Sequence, residues 1–192
     1  MTLNKTWGDR YLALLATGEA RENAGYEALR AELQKLREDS GANFVYVLSP
    51  ADADGNPSVD GKSDEGASFL ITVDGSAEAD DWGNSYGWEI QFTEAWNGAP
   101  AAARSCWNVS EKEQCWSGFA PVYTADGNIA CILGIDYPDF TVGQANPEWN
   151  RHAPEWNGIK TEITVEVPAD VQAMRDKVAG LAAEYAAKLS GK

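Results

Sequence analysis

Carboxylates set beside aromatic rings are the residues of this chain best suited to do chemistry. Asp136 closes an apolar run, Ile129 to Ile135, with Ile129, Cys131, Leu133 and Ile135 on one alternation and Ala130, Ile132 and Gly134 on the other. Such a run reads as a strand covered on both faces. A carboxylate ending it, above a face thinned by Ala and Gly, needs a partner, either structural or a ligand. Upstream, Glu78, Asp80 and Asp81 precede Trp82, Tyr86 and Trp88. Negative charge against ring faces suits an amine or a quaternary ammonium group. The plainer alternative is a lid that packs its rings on the core and leaves its charges in water. On the first reading, Asp136, Asp81, Trp82, Trp88, Trp116 and Tyr46 line a ligand pocket.

Other spacings carry less. Asp52-x-Asp54-x-Asn56 has the opening of a calcium loop, but Pro57 stands where an EF-hand glycine belongs and Ser63 where its bidentate Glu belongs. A solvated loop between strands is the better reading. Cys106 and Cys115 bracket a polar loop, which fits either a disulfide formed in an oxidising compartment or two unrelated thiols. Cys131, inside the apolar run, reads as a small buried hydrophobe. His152 has no second histidine or suitably spaced cysteine to act with, and reads as a loop residue. There is no nucleophile elbow, phosphate-binding glycine loop or metal-binding histidine pair. No catalytic residue, metal site or cofactor is therefore expected. With 30 acidic side chains, carboxylates close in sequence mean little, and nothing supports an acid/base hydrolase.

The 192 residues suffice for one domain with a real core, and the 44% apolar and 23% charged fractions are those of a globular protein. A net charge of −15 argues against nucleic acid or an anionic membrane surface as partner, and favours cationic or zwitterionic ligands. From Ala51 to Pro100 eleven acidic residues face one basic residue, Lys62. No apolar run approaches the ~18–20 residues of a membrane span. The opening MTLNKTW lacks the pattern of a signal peptide. Either a cytoplasmic protein or the soluble part of an anchored or secreted one fits.

The elements that must hold these residues follow from periodicity. Trp7 to Thr17 reads as a short helix. Tyr26 to Asp39 reads as a stronger one, with Tyr26, Leu29, Leu33 and Leu36 as its stripe and Gly41 as its stop. Asn43 to Leu48 and Ser68 to Val73 are expected strands around the loop Pro50 to Gly66. Glu89 to Trp96 is a short helix, and Ala101 to Asn108 a third strand. Trp116 to Tyr123 and Ile129 to Ile135 form a hairpin turning at Asp126-Gly127. Beyond Asp136 the repeated PEWN at Pro147 and Pro154 reads as turns docking two tryptophans. Thr161 to Val167 alternates as a half-buried strand. From Pro168 to Leu189 a helix carries Val171, Met174, Val178, Leu181 and Tyr185 at heptad spacing, to be laid on the domain or paired with a second copy. The order of elements is that of a PAS-like domain.

The stretch WSGFAPVYTADGNIACILGID, Trp116 to Asp136, resembles the "SGYAPIYDSDGKVVAVLGVDI" ending of bacterial extracytoplasmic sensor domains of the Cache (PAS-like) superfamily. Tyr26 to Leu36 is similar to the Y-x-x-L-x-x-x-L-x-x-[LI] helix of that family, Asn43 to Leu48 to its "YVYTL" strand, and EAWNGA at Glu94 to its "A-[FL]-N-G-K-P" helix end. The matches run in order from Gly25 to Asp136. The resemblance implies an α+β fold, with a PAS-like antiparallel sheet of about five strands and a long N-terminal helix. Here a C-terminal strand and helix would be added. The segments would be residues 1–24 (helical), 25–138 (sensor core), 139–168 (Trp/Pro-rich insertion and extra strand) and 169–192 (C-terminal helix). It implies a non-catalytic sensor in front of a chemoreceptor, histidine kinase or diguanylate cyclase module. Such a sensor would lie outside the cytoplasmic membrane, with its anchor beyond this sequence and a homodimer formed through terminal helices. In relatives that bind amino acids or amines, a carboxylate ending the last strand holds the ligand's amino group, a role that would fall to Asp136. The arginine that would hold an amino-acid carboxylate has no match. A secreted protein–protein interaction module with exposed tryptophans is the alternative of a different class.

Overall fold

The computed structural model describes residues 5–18, 22–111, 113–159, 163 and 165–192. In chain order its elements are α1 (Trp7–Leu15), α2 (Ala24–Ser40), β1 (Phe44–Pro50), β2 (Phe69–Asp74), β3 (Asn84–Gly87), α3 (Ile90–Trp96), β4 (Ala101–Ala102), β5 (Trp107–Ser110), β6 (Glu113–Tyr123), β7 (Ile129–Pro138), α4 (Thr141–Ala145), α5 (Pro147–His152), α6 (Pro154–Asn157) and α7 (Ala169–Leu189). Among the described residues the strands form one antiparallel seven-stranded sheet, ordered β3-β2-β1-β7-β6-β4, with β5 also on β6. The sheet exceeds the expected five strands because the third strand is broken in two, β4 and β5, and because the polar segment NSYG pairs as β3 with the edge of β2.

β7 lies at the centre, hydrogen-bonded to β1 and β6, which explains its nearly unbroken apolar content. Its hairpin with β6 turns through Thr124–Asn128, and Gly127 takes the one left-handed conformation in the turn, φ 84°. The loop is therefore longer than a two-residue Asp-Gly turn, and the register slips next to it, between Val122 and Tyr123.

One face of the sheet is covered by α1, α2 and α7. The stripe of α2 (Tyr26, Leu29, Leu33, Leu36) packs on Val45, Val47 and Val73, together with Cys131, Leu133 and Ile135 of β7. Burying each such leucine contributes about 1.5–3 kcal/mol. α2 stops where expected, at Gly41 with φ 70°. α1 is short, nine residues, capped by Thr6 and Asp9 bonding each other's backbone amides. The long helix of this end is α2, not the first. Of the α7 stripe, Val171, Met174, Val178 and Tyr185 are buried against the sheet of the same chain, and Leu181 is half-buried. The opposite face carries Leu48, Phe69, Phe119 and Ile132 under Phe92 of α3.

The insertion after β7 forms short helices, α5 and α6, each begun by Pro at its first turn. Trp149 and Trp156 meet edge to face with centroids 4.9 Å apart, as docked tryptophans. Of the expected strand Thr161 to Val167, Thr161, Glu162 and Thr164 lie outside the described residues. The described ones form no strand: Ile163 and Val167 pack beside α7, and Val165 is exposed. No described helix is long and apolar enough to cross a membrane.

Gly118 of β6 marks where α7 comes closest. A Cβ there would lie 2.1 Å from the Val178 carbonyl oxygen, so no side chain fits unless the helix lifts. Gly118→Ala is expected to lower stability by about 1–3 kcal/mol, measured by urea unfolding. An unchanged midpoint would mean that α7 is not seated on β6.

Candidate functional site

The site grows from the register of the central strands. Tyr46 of β1 faces Gly134 of β7, and Phe44 faces Asp136. A Cβ on Gly134 would fall 2.6 Å from the Tyr46 ring, so the glycine lets that ring lie flat across the sheet. The ring then carries its hydroxyl to Asp136, whose Oδ1 it contacts at 3.3 Å, while the Tyr86 hydroxyl lies 3.4 Å away. On the other side, β6 sets Ser117 opposite Asp136, and the Ser117 hydroxyl donates to the carboxyl. Gly134 therefore makes room for Tyr46, not directly for a ligand. Ala130 turns away altogether, against Gly8 of α1, because the register slip lies beside it.

Over this floor stands a pocket of about 280 Å³, lined by Phe44, Tyr46, Ile71, Asp74, Ser76, Glu78, Asp80, Tyr86, Trp107 and Asp136. Asp136, Tyr46, Asp74 and Ser76 are buried at its base, and Glu78, Asp80 and Trp107 are exposed at its mouth. One wall is the loop between β2 and β3. Asp74 shapes it, with Oδ1 accepting from the Ser76 amide and Oδ2 from the Asp80 amide, both at 2.8 Å. Arg30 of α2 holds the same loop from behind, donating to the carbonyls of Asp74 (3.0 Å) and Ser76 (3.4 Å). Gly75 rests directly on Leu33, so this loop and α2 are in rigid contact.

Among the described lining residues four side chains are carboxylic acids and none is Lys, Arg or His. Burial pushes Asp136 up to about 7; the bonds from Ser117 and Tyr46 oppose the shift, and Glu89 and Asp74 add to it. Glu89, at the N-cap of α3, is also raised to about 7 by burial, against the bond from the Gln91 amide. The Tyr46 and Tyr86 hydroxyls are pushed up by burial and by Asp136, and stay neutral donors.

Of the residues expected to form the pocket, Asp136 and Tyr46 do. Trp116 lies on the opposite face, fully buried under α7, because it shares its alternation with Gly118 and Ala120; the neighbour facing the pocket is Ser117. Trp82 turns towards α2, its ring 6.2 Å from that of Tyr26. Trp88 ties the Pro50–Gly66 loop to α3, its indole N–H donating to the Ser63 carbonyl (3.2 Å) and to Thr93 Oγ1 (2.9 Å). Asp81 is exposed, outside the lining, and its carbonyl accepts the Asn84 amide in the turn into β3. The same stretch contributes Glu78, Asp80 and Tyr86 instead. Asp74, Ser76, Phe44, Ile71 and Trp107 were not anticipated; a carboxylate directly after an apolar run, as Asp136 follows Ile135, was the available signal for Asp74, although β7 itself runs on to Pro138.

Of the two readings of Cys106 and Cys115, a disulfide or two unrelated thiols, the structure has the second: both are free thiols. Trp107, not Cys106, is the register partner of Cys115, so the two sulfurs belong to opposite faces: Cys106 packs with Trp116 under α7, and Cys115 accepts from Asn43. Asp52 is used locally, its carboxylate accepting the Asp54 and Asn56 amides. Among the described residues no three His, Cys, Asp or Glu side chains converge as metal ligands would.

A larger groove of about 410 Å³ runs between α1, α2 and the end of α7, with Lys5, Arg10, Lys35 and Lys188 on its walls. Three of these cations are already paired, with Glu32, Asp39 and Glu184, at exposed positions where such pairs contribute little. The smaller pocket has the buried, unbalanced charge and is the candidate site. No protein-family model, no curated protein and no solved structure matches the chain.

A carboxyl whose folded pKa lies above its unfolded value binds its proton more tightly when folded. Stability from that source is present at low pH and is lost as pH rises to about 7. For Asp136, from 3.8 to about 7, the loss is on the order of 4 kcal/mol. Asp136→Asn, a neutral shape mimic, is expected to flatten the stability profile between pH 4 and 7 and to be the more stable form at pH 8. Parallel profiles for the two proteins would contradict the burial of an unpaired carboxyl.

Proposed function

We propose that this chain is a non-catalytic sensing domain that binds a small organic cation in the pocket above Asp136. The observation that carries the reading is a buried carboxyl, backed by three further carboxylates and an aromatic wall, in a pocket with no basic residue among its described lining. One carboxylate at ~4 Å from a positive head group is worth about 4 kcal/mol at an effective dielectric of ~20, before desolvation. Tyr46, Tyr86, Phe44 and Trp107 supply ring surface for an alkylammonium. An amino acid is disfavoured, since its carboxylate would meet only like charge.

The strand order β2-β1-β7-β6, with β4 and β5 on the outer edge, supports a PAS-like sheet and, with the sequence resemblance, membership of the Cache superfamily. In such a sensor, the cation bound against Glu78, Asp80 and Asp74 favours one packing of the β2–β3 loop. Arg30 and Leu33 pass that bias to α2 by population shift. On this reading the chain is the extracytoplasmic part of a signal-transduction protein, anchored through segments outside this sequence.

A thermal-shift screen tests the ligand class. Simple amines and quaternary ammonium ions are expected to raise Tm by several degrees, and carboxylic acids are not. Asp136→Ala is expected to remain folded and lose the shift. If no cation moves Tm, the sensor reading fails and an interaction module gains. If Asp136→Ala unfolds the chain, Asp136 is structural.

A further inference from the structure

An ammonium ion at Asp136 needs the carboxylate form, and the protein groups around Asp136 do not favour that form. Among the described residues every titratable group facing Asp136 is an acid or a neutral donor. β1 presents the Tyr46 hydroxyl, β2 presents Asp74, β3 presents Tyr86, and β6 presents Ser117 and Cys115. Glu89 adds a further acid from the start of α3, and Glu78 and Asp80 stand at the mouth. Cys115 is itself held protonated, pushed by burial to about 12. With no Lys, Arg or His among the described lining residues, none of these offsets a bare carboxylate at the floor, and burial keeps the proton in place. A bound organic cation is the missing counter-charge.

We propose that the pocket exchanges a proton for a cation: binding of an ammonium ion converts the Asp136 carboxylic acid to carboxylate and releases its proton to solvent. Cation concentration and pH are then read as one signal, and a fall in pH weakens the response without any change in ligand. The exchange rests on the organic-cation reading of the same pocket.

Tetramethylammonium and 1,4-diaminobutane serve as probes, because both keep their positive charge throughout the range of interest. Their binding to the full chain is followed by isothermal titration calorimetry at pH 6, in two buffers that differ in ionisation enthalpy. Close to one proton is expected to be released per cation bound. Affinity is expected to rise about tenfold per pH unit and to level off above about pH 7. Asp136→Asn is expected to bind more weakly, with no proton release and a flat pH profile, while Glu89→Gln keeps the release. If release disappears in Glu89→Gln and survives in Asp136→Asn, the assignment to Asp136 is overturned. If a cation binds with no proton released, the exchange is wrong and the cation pocket stands. If neither cation binds, the cation pocket fails and the exchange with it. A carboxyl-carbon NMR titration of the cation-free chain decides independently: a midpoint for Asp136 near 7 supports the exchange, and one in the ordinary range near 4 overturns it.

Discussion

A carboxyl group buried within a central strand, with hydroxyls beside it and no cation among the described residues that face it, is the constraint on which the rest of this structure bears. Asp136 cannot be moved out without displacing β7, which is hydrogen-bonded on both sides. Nor do the described residues neutralise it from within, because those that surround it are tyrosines, a serine and other acids. A native chain keeps such a group either as a protonated acid or as half of a pair whose other half is bound from outside. Functional sites are where perturbed carboxyls of this kind concentrate.

The surrounding architecture holds this group at the floor of a cavity. Gly134 lets the Tyr46 ring lie flat and aims its hydroxyl at the carboxyl. The Asp74 carboxylate folds the β2–β3 loop over the floor, and Arg30 binds that loop to α2. On the far face, α1, α2 and α7 seal the sheet, so α7 serves the core through Val171, Val178 and Tyr185. That leaves α2 as the element in direct touch with the pocket wall.

Much of the frame was legible because it obeys simple periods. The α2 stripe, its glycine stop, β1, β2 and the β6–β7 hairpin follow from alternation and from 3.6-residue spacing, and Asp136 stood out as the one charge ending an apolar run. Side-chain direction was harder. Tryptophan content drew attention to Trp82, Trp88 and Trp116, yet residue type says nothing about which face a ring takes. On β6 the parity with Gly118 and Ala120 placed Trp116 under α7, and Ser117 was the residue aimed at Asp136. β3 escaped notice because NSYG is short and polar and owes its strand conformation to the edge of β2. The role of Asp74 depends on where the Ser76 and Asp80 amides come to rest, a tertiary fact with no local pattern. The same holds for Cys106 and Cys115, whose separation follows from a one-residue register difference.

The most direct measurement is the position of a bound cation. Intermolecular NMR contacts from the methyl protons of tetramethylammonium are expected to reach the ring protons of Tyr46 and Tyr86, and to vanish in Asp136→Ala. Contacts to Trp7 and Tyr185 in the groove between α1 and α7 instead, or contacts that persist without Asp136, would contradict the account.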